Sequence, residues 1–213
     1  MAIELWLAFV LASCVLLIIP GPTILTVISY SIAHGKRANV PLVAAVALGD
    51  STALLLSLAG LGAVLATSAW MFTAVKVVGG LYLIYLGVKL LLAKTSPIQS
   101  TEAQADEATP MKSRWKLFAN TWLVTALNPK GIIFFVAFLP QFIDKMSAVV
   151  TQLWVLSVTF VALASLNACL YAVFASGARK LLSSPAAQRR FNIGGGTLLT
   201  IAGGWALTAQ RSA

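Results

Sequence analysis

Charged side chains are scarce in this sequence. Asp, Glu, Lys and Arg make up 10% of the 213 residues, whereas soluble domains carry about 25%. Hydrophobic residues account for 59% of the chain. This composition excludes an ordinary soluble domain. It predicts an all-α integral membrane protein, because most of the chain falls into apolar runs long enough to cross a bilayer as helices.

Side chains that bind metals or act as nucleophiles are also few. The chain has two cysteines, Cys14 and Cys169, and a single histidine, His34. Two cysteines in separate apolar runs provide no disulfide framework and no metal-ligand spacing. We therefore expect no metal site, no cofactor and no enzyme activity.

A basic segment is missing ahead of the first apolar run, where the only charged side chain is Glu4. A cleaved signal peptide begins with such a basic segment. We therefore expect the first run to be retained as a membrane span.

Six apolar runs predict six membrane spans, with the bounds Leu5–Ile32, Val40–Ala66, Trp70–Leu92, Leu117–Phe142, Val149–Ser176 and Phe191–Thr208. With the N-terminus outside, eleven Lys and Arg residues fall in the inside segments, whereas only Lys76, Lys145 and Arg211 fall outside. The positive-inside rule then places both termini outside the cytoplasm. This bias accounts for the net charge of +9, so we expect no nucleic-acid partner.

Proline interrupts two of these runs. Pro20-Gly21-Pro22 breaks span one, and Asn128-Pro129-Lys130 breaks span four. Proline removes a helix hydrogen bond, and Asn followed by Pro is typical of a helix N-cap and first helical position. Two half-helices are therefore predicted in each broken span, and paired interruptions of this kind indicate a transporter's binding site. The alternative is two proline kinks that only shape helix packing.

A polar segment separates the spans into two groups of three. Residues 95–113 are rich in Thr, Ser, Gln, Ala and Pro and cannot bury enough apolar area to fold alone. We expect a flexible cytoplasmic linker there, between a first repeat (1–94) and a second repeat (114–213). Three spans per half force the halves into opposite orientations if they share a fold. The prediction is a 3+3 inverted repeat with broken helices one and four, as in many secondary transporters.

One carboxylate is predicted inside the membrane. Asp50 lies ten residues past the start of span two, which is about 15 Å deep and close to the midplane. An ionisable residue at that depth indicates a functional site. The alternative is a structural partner for Lys130 or for a backbone donor.

These motifs, in their order and spacing, resemble the LysE/RhtB family of bacterial amino-acid exporters. The resemblance covers nearly the whole chain and is carried by Pro20-Gly21-Pro22, Leu48-Gly49-Asp50, the run from Tyr82 to Gly87, and Asn128-Pro129-Lys130 with the run from Phe134 to Phe142. It implies six spans, the bacterial inner membrane, and amino-acid export driven by proton exchange. Thr23 and Thr125 depart from the family pattern beside the two breaks, which leaves the choice of substrate open.

A zwitterionic amino acid offers a carboxylate and an ammonium to such a site. The half-helix that begins at Pro129 presents N–H groups and a positive dipole end to the carboxylate, and Lys130 adds charge. The half-helix that begins at Pro22 and continues with Thr23 offers a second N-terminus. Asp50 accepts the ammonium, or a proton in its place, which predicts proton antiport.

Two other functions are compatible with the architecture. An inorganic ion or metal exporter is disfavoured by the few carboxylates and the single histidine. A membrane thiol–disulfide carrier needs symmetric cysteines, but aligning Pro22 on Pro129 places Cys14 opposite Thr121. We expect an amino-acid substrate, protons and the lipid bilayer as partners, and the sequence leaves a homo-oligomer open.

The charge bias predicts the accessibility of engineered cysteines in intact cells. A cysteine that replaces Gln104 should be shielded from membrane-impermeant thiol reagents, because it lies on the cytoplasmic side. A cysteine that replaces Ser212 should react. The reverse labelling pattern would overturn the topology with both termini outside.

Overall fold

The computed structural model describes residues 1–67, 69–93, 114–144, 146–175 and 184–208, and the regular structure in these ranges is helical. The predicted linker, residues 95–113, lies outside them. The α-helices are α1 (Ile3–Ile18), α2 (Pro22–His34), α3 (Asn39–Thr67), α4 (Ala69–Leu92), α5 (Arg114–Ala126), α6 (Pro129–Ile133), α7 (Val149–Val173) and α8 (Pro185–Thr208).

Several of these helices have the length and composition of membrane spans. The helical stretch Pro22–Gly60 and helix α7 are each long and apolar enough to cross a bilayer. Helix α5 and the segment Pro129–Phe142 pass the same test together, as a pair bent by 40°. Helix α1 and the stretch Gly80–Leu92 are shorter apolar helices. The structure is therefore that of a membrane protein with several apolar helices.

The first helix break lies where the sequence predicts it. Helix α1 ends at Ile18, and α2 begins with Pro22 at its first position, after Gly21 in an extended conformation. Proline is suited to this position because the N–H that it lacks would have no intrahelical acceptor. The two half-helices are thus separated by three residues at the predicted motif.

The second break follows the same logic. Helix α5 ends at Ala126, and α6 begins at Pro129 with Asn128 as its N-cap. After Ile133 the helix continues as a π-helical turn (Phe134–Phe138) and then a 3-10 turn (Leu139–Phe142). Pro140 cannot donate a backbone hydrogen bond, so regular α-helix is not maintained up to it. The sequence predicted one uniform apolar run here and missed this change of helix type.

Aromatic rings fix the segment Pro129–Phe142 against α1 and α7. The ring of Phe160 in α7 lies 4.8 Å from that of Phe135 and 5.5 Å from that of Phe134. On the other side, the ring of Phe9 in α1 lies 5.3 Å from that of Phe142. All five rings are at most 2% exposed. This cluster is the main apolar core, and it holds the helix that follows the second break.

Helices α4 and α8 pack against each other through glycines. A Cβ on Gly203 would lie 2.6 Å from the carbonyl oxygen of Gly80, and a Cβ on Gly196 would lie 2.7 Å from that of Gly87. The glycines of each helix are seven residues apart, which is two helical turns and one face. Small residues allow this close approach of membrane helices. The last helix therefore packs closely on α4.

The glycine contact predicts a large difference between two Gly→Ala substitutions in α8. Gly203→Ala should lower the thermal unfolding temperature by several degrees, because its Cβ meets the α4 backbone and overpacking costs about 1–3 kcal/mol. Gly194→Ala is the matched control, since a Cβ there would meet nothing within 4 Å. Thermal unfolding of the purified variants in detergent measures both. Equal unfolding temperatures would contradict the close contact.

Candidate functional site

The two helix breaks meet through one asparagine. Asn128, the N-cap of α6, accepts a hydrogen bond from the backbone N–H of Lys130 (3.2 Å) at its Oδ1. Its Nδ2 donates to the Oγ1 of Thr23 (3.2 Å), in the first turn of α2. Asn128 and Thr23 are buried. One side chain therefore caps the second half-helix and ties it to the start of the half-helix that follows the first break.

The ammonium of Lys130 lies at the C-terminal end of α1. Its Nζ donates to the carbonyl oxygens of Leu16 (2.9 Å) and Ile19 (2.8 Å). The last carbonyls of a helix have no intrahelical donor, and they carry the negative end of the helix dipole. A lysine from the second break therefore neutralises the helix end left open by the first break.

Two side chains of α7 complete this arrangement. Asn167 Nδ2 donates to the carbonyl of Leu17 (3.1 Å), and the Tyr171 hydroxyl donates to the carbonyl of Ile18 (2.9 Å). The four consecutive carbonyls from Leu16 to Ile19 thus each accept a hydrogen bond from a side chain. We refer to these four carbonyls as the carbonyl cradle.

Asp50 is placed beside the first turn of α6. Its Oδ1 would lie 4.0 Å from a Cβ on Gly131, and the residue is 8% exposed. The neighbouring Gly49 allows α3 to approach α5, because a Cβ there would lie 2.6 Å from the Cβ of Thr125. Among the described residues the hydrogen bonds of Lys130 Nζ go to the carbonyl cradle and not to Asp50.

A small cavity of about 30 Å³ joins these groups. A buried water needs about 10–15 Å³ of such space, so the cavity accommodates about two waters and is too small for an amino acid. The cavity is therefore closed to a ligand of that size. The lining residues are Leu16, Leu17, Gly21, Thr23, Ile24, Val46, Asp50, Asn128, Lys130, Gly131, Phe160, Ala164 and Asn167.

Most of the residues proposed from the sequence come together at this cavity. Gly21, Thr23, Asp50, Asn128 and Lys130 line it. The three prolines of the prediction, Pro20, Pro22 and Pro129, do not line it but set the ends of the helices around it.

A polar residue in an apolar run, Asn167 predicts a side chain that lines a cavity or hydrogen-bonds across helices, and it does both. The sequence did not identify the carbonyl cradle or Tyr171. The signal that could have found Tyr171 is its position four residues after Asn167, on the same face of a long apolar helix. The acceptors could not be predicted from the sequence, because they are backbone oxygens of apolar residues.

The ammonium of Lys130 does not lie where the sequence predicts it. It was expected to add positive charge at the N-terminus of the half-helix that begins at Pro129. In the structure its backbone belongs to that N-terminus, but its ammonium lies on the carbonyl cradle of α1.

A larger cavity of about 290 Å³ lies between α1, α8 and the π-helical turn. Its lining consists of aliphatic and phenylalanine side chains, such as Leu11, Phe138 and Ile201. Among the described residues, its lining has no polar side chain that could orient a charged ligand. No group of three or more metal-ligating side chains occurs in the described ranges.

Comparison with known proteins gives one consistent result. The chain matches the LysE type translocator family over residues 14–210. A homoserine/homoserine lactone efflux protein of Salmonella typhimurium is 29% identical over 212 residues, which cover 100% of both chains. A leucine efflux protein of Klebsiella pneumoniae is 31% identical over 140 residues, which cover 65% of this chain and 63% of the relative.

An uncharacterized membrane protein of Vibrio cholerae is 30% identical over 192 residues, which cover 90% of this chain and 91% of the relative. No solved structure matches the chain. The family match covers nearly all of the sequence and agrees with the apolar helices of a multi-pass bacterial membrane protein. The chain therefore belongs to the LysE type translocator family.

Proposed function

We propose that the protein is a secondary active exporter of amino acids or close derivatives. The observation that carries the proposal is the meeting of the two helix breaks at one buried cavity, which contains both a carboxylate, Asp50, and an ammonium, Lys130. A zwitterion needs one partner of each sign, and discontinuous helices at the repeat interface are where transporters bind such substrates. The names of two relatives, a leucine efflux protein and a homoserine/homoserine lactone efflux protein, support this substrate class.

The carboxylate of the substrate is assigned to the first turn of the segment Pro129–Phe142. The N–H groups of a first helical turn have no intrahelical acceptor and favour an anion. Asn128 already uses the N–H of Lys130. The N–H of Gly131 belongs to the same turn, and Gly131 lines the cavity.

Alternating access requires two halves that move against each other. We propose six spans arranged as a 3+3 inverted repeat, residues 1–94 and 114–213, with both termini outside the cytoplasm. Pro22 and Pro129, which open the two second half-helices, stand 107 residues apart. The hydrogen bonds from Asn128 to Thr23 and from Lys130 to α1 join the two halves. Rocking of one half against the other would break these bonds and open the small cavity.

Proton coupling is assigned to Asp50. An ionised carboxylate in hydrocarbon is costly unless it is paired or solvated. Exchange of a substrate ammonium for a proton keeps the site near neutrality in both halves of the cycle. The substrate leaves outward as Asp50 takes up a proton from the outside.

The substrate class is tested by counterflow in liposomes that contain the purified full chain. Vesicles loaded with unlabelled leucine or homoserine should accumulate the same labelled amino acid well above empty liposomes. Loading with the matching amine or carboxylic acid, each of which lacks one charged group of the zwitterion, should give little accumulation. Equal accumulation with the amine alone would contradict recognition of a zwitterion.

The coupling role of Asp50 is tested with Asp50→Asn, which keeps the shape and removes the charge. We expect normal insertion, but loss of the export that a pH gradient drives, and residual export that no longer depends on the external pH. The measurement is amino-acid flux from liposomes at a series of external pH values.

Glu4→Gln is the matched control, because Glu4 is an exposed carboxylate in the first turn of α1. Its pH profile should equal that of the wild type. A wild-type pH profile in Asp50→Asn would instead make Asp50 a structural partner.

A further inference from the structure

The carbonyl cradle holds a primary ammonium away from water. Two of the three donors of Lys130 Nζ are used, at 2.8 and 2.9 Å, by carbonyls at the end of one helix. The atom also packs on Gly21, where a Cβ would lie 3.4 Å from it. Carbonyls at the C-terminal end of a broken transmembrane helix form a cation site, because the helix dipole and unpaired lone pairs both favour positive charge.

We propose that this cradle is the ammonium subsite for the substrate, and that Lys130 is its occupant when no substrate is bound. The inference rests on the proposed export of amino acids and adds the place of the amino group. The substrate ammonium donates to the carbonyls of Leu16 and Ile19, in the positions that Lys130 Nζ holds in the structure. The ligand class is a primary ammonium with N–H donors.

The size of the cavity supports an exchange of occupants. The space of about 30 Å³ does not accommodate an amino acid while the lysine side chain is in place. Withdrawal of that side chain frees its own volume and two carbonyls in a single step. Leu16 and Gly21, which contact the ammonium, also line the cavity, so an incoming amine reaches the cradle directly.

The negative groups at the cavity provide partners for the displaced ammonium of Lys130. Asp50 lines the same cavity, and a bound substrate brings its own carboxylate. The displaced lysine pairs with the substrate carboxylate, and Asp50 with the substrate ammonium on the cradle, so no unpaired charge remains in the low-dielectric site. The remaining donors, Asn167 and Tyr171, bond to Leu17 and Ile18 and keep the end of α1 capped during the exchange.

The alternative is that Lys130 caps α1 permanently and is never displaced by a substrate. Both roles predict that Lys130→Ala destabilises the protein, since buried carbonyls lose their donor. A free amine can fill the place that Lys130→Ala vacates in either role, so ethylammonium tests whether the cradle binds a primary ammonium from solution. The two roles differ in whether the substrate makes Lys130 accessible.

The first experiment measures thermal unfolding of purified wild type and Lys130→Ala in detergent, with and without ethylammonium chloride. We expect ethylammonium to raise the unfolding temperature of Lys130→Ala by about 3 °C or more at saturation and to leave the wild type unchanged. Tetramethylammonium, which has no N–H donor, should have no effect on either. Lys89→Ala is the control variant, because Lys89 is exposed near the end of α4, and it should show no response to ethylammonium. An absent ethylammonium response in folded Lys130→Ala would overturn the proposal.

The second experiment keeps the wild-type chain and covers the case in which Lys130→Ala does not fold. A small amine-reactive reagent labels lysines with and without leucine or homoserine, and mass spectrometry of the peptide that contains Lys130 gives the extent of labelling. Displacement from the cradle should raise the ratio of Lys130 to Lys89 labelling several-fold, and this ratio corrects for reagent that the free amino acid consumes. An unchanged or reduced ratio with a transported amino acid would overturn the proposal.

The two proposals fail in different ways. Ethylammonium binding to Lys130→Ala without amino-acid counterflow in the wild type would retain the cradle as an ammonium-binding site and reject the exporter. Counterflow in the wild type with neither ethylammonium binding nor increased labelling would retain the exporter and reject the subsite.

Discussion

The end of α1 imposes the constraint on which the arrangement of the other helices depends. The break at Pro20 leaves four carbonyls without intrahelical donors, and hydrocarbon supplies no hydrogen bonds to replace them. Each such group left unpaired in hydrocarbon costs several kcal/mol. Lys130, Asn167 and Tyr171 supply the donors. Satisfying one helix end therefore requires both the second break and helix α7 to lie against it.

Packing holds these donors in position. The phenylalanine cluster fixes the segment after Pro129 between α1 and α7, which places Lys130 at the carbonyl cradle. The close approach of Gly49 to Thr125 sets α3 against α5 and brings Asp50 to the same cavity. An acidic and a basic side chain thus line one small cavity, and the ammonium is bonded to carbonyl oxygens. In the proposed function, each of these two groups has a counterpart of opposite charge in a zwitterionic substrate.

Much of the site could be predicted from the sequence because it is built from residues that are anomalous in apolar runs. Pro20, Pro22 and Pro129 interrupt helices whatever surrounds them, since proline lacks an N–H. Asp50 and Lys130 are conspicuous because charge is costly at membrane depth. The type of helix after Ile133 was not predicted, since the apolar pattern is the same for a π-helical turn and an α-helix.

The sequence by itself determined the membrane class, the two helix breaks and the capping of α6 by Asn128, because these follow from composition and from local backbone chemistry. The tertiary structure alone decided where the ammonium of Lys130 lies. A lysine side chain is long and flexible, and its local position next to Pro129 favours an anion site as much as a distant carbonyl. Its partners, Leu16 and Ile19, contribute only backbone oxygens. Every residue has such an oxygen, so only the packing of α1 against the second break could select these two.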